Sequence, residues 1–196
     1  MTALVMLAAG GSTRMGSPKQ LLPYRGRPLL RHAVETALAT QCRPVIVVLG
    51  SRAEEVGAVL CGLDVQTVTN AGWEEGMGTS IQVGVQAAQD SGADGLILSL
   101  ADQPLVTAEL LDCLIQTHQQ TGRPIVSSSY AGTVGVPVYF AQQFFAPLMA
   151  LKRQQGCKGL ILSNEKCAVH LPCPEAEVDV DTPEDFAAMA TERPAS

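Results

Sequence analysis

Two cations and a run of glycines stand close together near the start of the chain, in Gly10-Gly11-Ser12-Thr13-Arg14-Met15-Gly16-Ser17-Pro18-Lys19. Adjacent glycines let backbone N–H groups approach an anion with no Cβ in the way, and Arg14 and Lys19 add positive charge. The stretch therefore reads as a phosphate cradle. Its spacing separates it from two common cradles. Gly11 and Gly16 have the G-x4-G interval, but Ser17-Pro18-Lys19 follows where a Walker A loop needs Lys-[Ser/Thr], and G-x-G-x-x-G does not fit either. Pro18, with the residue before it biased away from the α region, predicts an extended segment there and no immediate helix. A glycine-rich surface turn with two solvated cations would use the same residues.

The second chemical feature is acidic. Asp102 follows the apolar run Gly95 to Leu100, so its carboxylate sits at the C-terminal end of a buried strand. If the loops after the first, third and fourth strands open on one edge of a parallel sheet, Gly10 to Lys19, Asn70 to Ser80 and Asp102 come together. An acid beside a phosphate site is unfavourable unless a hard cation lies between them, so Mg²⁺ is implied. Asp179 and Asp181 alternate with Val178 and Val180, share a strand face, and could supply a further ligand. Asp102 would also serve as a loop or helix-capping carboxylate. Asp181 precedes the helix start Thr182-Pro183-Glu184-Asp185 and would also suit the helix dipole alone. No Ser/His/Asp or Cys/His arrangement is spaced for a covalent intermediate. The six cysteines form no C-x-x-C pair and read as core or core-edge residues, and His32, His118 and His170 lie far apart.

The elements that must position these groups alternate. Val5 to Ala9 is a buried strand, and Pro28 to Thr40 a helix with Leu30, Ala33, Val34 and Ala37 on one face. Pro44 to Leu49 is a continuous apolar strand, followed by a short helix from Ala53 to Cys61 and a weak strand from Asp64 to Thr69. Gly72 to Gly78 reads as a flexible loop before a helix carrying Ile81, Val85 and Ala88. Thr107 caps the helix after Asp102. Further strands are expected at Pro124 to Ser129, at Thr133 to Phe140, whose Pro137 implies an edge or a bulge, near Ala168 to Leu171 and at Ala176 to Val180. Helices are expected at Gln142 to Leu151, at Lys158 to Ser163 and from Thr182 to Thr191. The pattern predicts an α/β fold, a three-layer α/β/α sandwich with a mostly parallel sheet.

The 196 residues suit a single domain spanning 1–196. Hydrophobic residues make up 46% and charged residues 16%, which excludes a compositionally disordered chain. With 13 Lys+Arg against 19 Asp+Glu, a net charge of −6 and no basic run, nucleic acid is not an expected partner. No apolar run is long enough for a membrane span and no signal-peptide pattern opens the chain, so a cytoplasmic location is expected.

Four motifs carry a resemblance. Leu7-Ala8-Ala9-Gly10-Gly11 with Gly11-x-x-Arg14-Met15-Gly16-x-x-Lys19, Gly76-Met77-Gly78-Thr79-Ser80, Leu100-Ala101-Asp102-Gln103-Pro104 and Asp179-Val180-Asp181-Thr182-Pro183-Glu184-Asp185 stand in the order found in the MobA-like nucleotidyltransferases. The chain resembles that family from about residue 3 to residue 188, most nearly its molybdenum cofactor cytidylyltransferases. The resemblance implies a Rossmann-like nucleotidyltransferase fold, Mg²⁺ dependence, and transfer of CMP from CTP to a phosphate of molybdopterin with release of pyrophosphate. It also implies transient contact with a molybdoenzyme or its chaperone. Carried over by motif, Ala8, Ala9 and Gly10 lie against the base, Gly11, Asn70 and Ser80 near the nucleotide, Arg14 and Lys19 on the triphosphate, and Asp102 on the metal. It links Leu-Ala-Ala-Gly with cytosine and Leu-Ala-Gly-Gly with guanine, and the Ala9 methyl would narrow the space beside the base. Cys157 departs from the pattern, standing where similar proteins carry an acid on the acceptor side. The alternatives are a guanylyltransferase, a sugar-phosphate nucleotidyltransferase, and a non-catalytic protein that delivers a finished nucleotide cofactor.

Overall fold

A strand buried at six successive positions must be covered on both faces, and that requirement organises the molecule. A computed structural model describes residues 1–11 and 18–179. In chain order its elements are β1 (Thr2–Ala8), a 3-10 turn (Lys19–Leu21), a small hairpin of β2 (Pro23–Tyr24) and β3 (Arg27–Pro28), α1 (Leu29–Leu38), β4 (Val45–Leu49), α2 (Ala53–Ala58) and β5 (Gln66–Thr69). After a 3-10 turn (Trp73–Glu75) come α3 (Met77–Asp90), β6 (Gly95–Leu100), α4 (Ala108–Thr121), β7 (Ile125–Tyr130), β8 (Thr133–Ala141), α5 (Phe145–Met149), α6 (Lys158–Ser163), β9 (Ala168–Pro172) and a last 3-10 turn (Pro174–Glu177).

Among the described residues the main sheet runs β5-β4-β1-β6-β8-β7-β9. β1 pairs in parallel with β4 on one side and with β6 on the other. β8 alone runs against its neighbours β6 and β7. Alternate residues of β1 feed opposite layers. Leu4, Met6 and Ala8 pack with Leu30, Val34, Val56, Leu111 and Leu114 of α1, α2 and α4. Ala3, Val5 and Leu7 pack with Ile81, Val85, Phe145, Leu148 and Ile161 of α3, α5 and α6. This is the expected three-layer α/β/α sandwich with a mostly parallel sheet. The strand order reverses at β1, so the loops after β1 and β6 flank the crevice where ligands of such sheets bind.

Several expectations need correction. Pro18 is extended at ψ 118°, but Lys19–Leu21 then form a 3-10 turn in place of an extended segment. The strand expected at Ala176 to Val180 is absent over its described part, 176–179: Pro174 starts the 3-10 turn Pro174–Glu177, because β9 has already ended its pairing with β7 at Pro172, and Val180 lies outside the described residues. Of the two settings expected for Pro137, the bulge is present and the edge is not, since β8 lies between β6 and β7. The register skips Val136 and Pro137 between Val138 and Gly135, and Ser128 Oγ donates to Pro137 O at 2.8 Å. Thr107 caps α4 as expected, its Oγ1 accepting from Leu110 N. The helix expected at Thr182 to Thr191 lies outside the described residues.

Helix α3 approaches the sheet at Gly84, where a Cβ would fall on Val5 Cγ1 and 3.1 Å from Val48 Cγ2. Alanine gains up to about 1 kcal/mol in helix propensity, but overpacking against buried side chains of two central strands costs about 1 to 3 kcal/mol. Gly84→Ala is therefore expected to lower the urea midpoint, and a raised midpoint would show that the layers can separate freely.

Candidate active site

The end of β1 and the turn that follows it are tied together by one buried amide. Gln20 Nε2 donates to Ala8 O and to Gly10 O, each at 2.9 Å, and the residue is 2% exposed. This bond pair fixes the 3-10 turn on which Lys19 sits. Lys19 Nζ forms an ion pair with Asp102 Oδ2, which arrives at the same edge from the end of β6. The two side chains are 18% and 14% exposed, enough burial that neither charge would be well solvated alone. Asp102 Oδ1 is buried and accepts no hydrogen bond from the described residues. A hard cation is a chemically suitable partner for such an oxygen, so the donor set fits a divalent metal at this point. Among the described residues no group of three His, Cys, Asp or Glu side chains forms a metal cage.

A cavity of about 260 Å³ opens beside this pair, lined by Ala8, Ala9, Gly10, Lys19, Ser80 and Asp102, and also by Trp73 and Met77. Ser80 is 5% exposed and is held from behind by Asn70, whose Nδ2 reaches Ser80 Oγ at 2.9 Å and Thr79 Oγ1 at 2.8 Å. Asn70 Oδ1 in turn accepts from Gly72 N at 2.9 Å. Asn70 thus sits behind the wall of the cavity and braces the β5–α3 connection. That connection is also clamped from outside. Gly78 N donates to Arg153 O at 2.9 Å, and a Cβ on Gly76 would lie 2.5 Å from the same oxygen. The loop expected to be flexible is packed backbone to backbone.

The structure brings together Ala8, Ala9, Gly10, Lys19, Ser80 and Asp102, with Gly11 beside them against Trp73. Arg14 and Asp181 lie outside the described residues. Asp179 is exposed and does not line the cavity, but its charge reaches Tyr130, whose phenol is held above the usual range by burial first and by Asp179 among lesser causes. Gln103 Nε2 donates to Ala176 O at 2.7 Å, tying the last 3-10 turn to the loop that bears Asp102. Cys157 is 5% exposed, and burial pushes its thiol up to about 12, so it is a neutral core group. Sequence reasoning missed Gln20, Trp73 and Gln103. Only Trp73 carried a signal: it is the single tryptophan, and it stands in a glycine-rich loop.

With this geometry in hand, similarity to known proteins is informative. Residues 4–167 match the MobA-like NTP transferase domain. The purine catabolism protein PucB of Bacillus subtilis (strain 168) is 31% identical over 194 residues, covering 93% of this chain and 92% of that protein. The nicotine blue oxidoreductase of Paenarthrobacter nicotinovorans is 39% identical over 128 residues, 65% of this chain and 61% of that protein. Among solved structures, Rv0371c of Mycobacterium tuberculosis H37Rv in complex with manganese matches with a TM-score of 0.80 at 29% identity, over 96% of this chain and 97% of that one.

The Gln20 bonds give a direct test. Gln20→Leu keeps the volume but leaves two carbonyls without their donor, at a cost of about 1 to 3 kcal/mol. Denaturant unfolding is expected to show that loss, together with weaker nucleotide binding by calorimetry. Unchanged stability and affinity would remove Gln20 from the support of the cradle.

Proposed function

This chain belongs to the MobA-like NTP transferase family, and on that premise we propose that it is a nucleotidyltransferase that moves CMP from CTP onto a phosphate of molybdopterin. The observation that carries the reading is the Lys19–Asp102 pair at the mouth of the cavity formed by Ala8, Ala9 and Gly10. A site that only bound nucleotide would need the cradle but not an acid with a spare buried oxygen facing it, which favours catalysis over cofactor delivery. The whole of 1–196 acts as one cytoplasmic catalytic domain on small-molecule substrates, with neither nucleic acid nor membrane as partner. Contact with a molybdoenzyme or its chaperone follows from the same reading.

Backbone N–H groups of Gly10 and Gly11 and the Lys19 ammonium hold the triphosphate, with Arg14 as a second cation. A phosphate oxygen of the acceptor attacks the α-phosphorus in line. One P–O bond forms as the bond from the α-phosphorus to the bridging oxygen breaks, and the electron pair leaves with pyrophosphate. The acceptor phosphate is already anionic at pH 7, so no general base is required, and the protein's contribution is position and charge. Asp102 would hold a divalent cation, Mg²⁺ on this reading, with Asp181 as the further ligand in preference to Asp179, which does not line the cavity; the ion would neutralise charge on the triphosphate. The manganese in the mycobacterial relative supports a divalent ion here. The neutral Cys157 removes one negative charge that an anionic acceptor would otherwise approach.

The deciding experiment incubates the purified protein with molybdopterin, Mg²⁺ and either CTP or GTP, follows pyrophosphate, and identifies the product by mass. The cytidine dinucleotide of molybdopterin is expected, with CTP the better substrate. A nucleotidyl sugar formed from a sugar phosphate, with no reaction on molybdopterin, would replace this acceptor by the other class.

Lys19→Ala is expected to lower turnover several hundredfold. One oriented cation on developing phosphoryl charge is worth about 3 to 4 kcal/mol, by analogy with removal of an oxyanion donor. Near-normal kcat in a variant that unfolds like the parent would move the triphosphate away from Lys19.

A further inference from the structure

Trp73 is wedged at both ends. On its backbone side, a Cβ placed on Gly50 would lie 2.7 Å from Trp73 Cβ, 2.8 Å from Ala9 Cβ and 2.6 Å from Ala9 O. At the far edge of the indole, a Cβ on Gly11 would lie 2.8 Å from Cζ3 and 2.9 Å from Cη2. Two glycines are therefore what allow the ring to lie across the turn that leaves β1. Ser51 N donates to Ala9 O at 3.1 Å and holds that turn against the end of β4. The loop bearing the ring is itself anchored, because Gln154 Nε2 donates to Glu75 O at 2.6 Å and Arg153 pairs with Glu75 at 2.7 Å. The indole packs closely on Gly11 and Gly50 and lines the same cavity as Ala9, Gly10, Ser80 and Asp102. Much of the remaining wall is apolar, from Leu7, Met77 and Leu100.

A half-buried aromatic side chain lining a largely apolar cavity suits the flat ring of a nucleobase. We propose that Trp73 is a specificity-determining residue: its indole, packed on Gly11 and Gly50 beside Ala9, is the wall against which a pyrimidine base packs, and with the Ala9 methyl it disfavours the second ring of a purine. The assignment rests on the reading of this cavity as a nucleoside triphosphate site, and is independent of the acceptor. It also gives the Ala9 methyl a physical route to base choice, since the Ala9 and Trp73 Cβ atoms crowd the same point beside Gly50.

Because Trp73 is the only tryptophan, its fluorescence reports this wall alone. Titration of the full chain, with Mg²⁺ present and acceptor absent, uses three probes: CTP, GTP and inorganic tripolyphosphate. CTP is expected to change the emission strongly, GTP weakly, and tripolyphosphate not at all. An equal change with tripolyphosphate and with CTP, or CTP binding by calorimetry at constant emission, overturns the proposal while leaving the transferase reading intact. Failure of every nucleotide to bind by calorimetry overturns both. In steady state, Trp73→Ala should raise KM for CTP by about tenfold to a hundredfold, the value of one base–aromatic contact. Its kcat should stay within about threefold, as expected when uniform binding is lost. Its preference for CTP over GTP should fall at least about tenfold, with Trp73→Phe between the two. Should Trp73→Ala fail to fold, the Trp73→Phe kinetics and the parent's fluorescence decide. A Trp73→Phe preference for CTP indistinguishable from the parent's, with no emission change in the parent, rejects the role.

Discussion

The ion pair between Lys19 and Asp102 joins residues 83 positions apart, and most of the site's geometry depends on its being made. It is possible because β1 and β6 are adjacent and parallel, so that both deliver their following loops to one edge. Gln20 then fixes the turn that presents the lysine. A pair this poorly solvated adds little to stability, and apolar residues of similar volume would often do as well. Its physical rationale lies in what it does to the crevice: it holds a positive and a negative group side by side, with one carboxylate oxygen buried and accepting no hydrogen bond from the described residues.

How far the sequence discloses this arrangement depends on where each contact is made. β1, β4 and β6 are legible because cover on both faces demands unbroken apolar runs, and Thr107 is legible because a cap is a local rule. Lys19 and Asp102 are legible because charge beside glycine, or at the end of an apolar strand, is chemically conspicuous. Gln20 is not, since its partners are backbone carbonyls that leave no trace in residue type. The hairpin of β2 and β3 is hidden by its length, with only two residues in each arm and prolines at Pro23 and Pro28. Its turn at Arg25 and Gly26 has positive φ at both positions, of which only the glycine advertises itself.

The C-terminal acids teach the opposite lesson. Alternation over Ala176 to Val180 is too short to separate a strand from other extended chain. Tertiary structure decides instead: β9 has already used its pairing with β7, and Gln103 captures the carbonyl of Ala176. Asn70 was legible as a polar residue at a strand end, but its amide is spent on Thr79, Ser80 and Gly72. Residue type located the loop, and only the hydrogen bonds assign the wall to Ser80.

The backbone clamp on Gly76 and Gly78 changes what glycine means in this connection. Here it serves close approach, with the carbonyls of Lys152 and Arg153 occupying the space a side chain would fill. The conformational entropy of the segment is therefore surrendered when the chain folds and not when a ligand arrives. Association with this wall should accordingly proceed near the encounter rate, without the slow ordering phase that a glycine-rich loop would ordinarily impose.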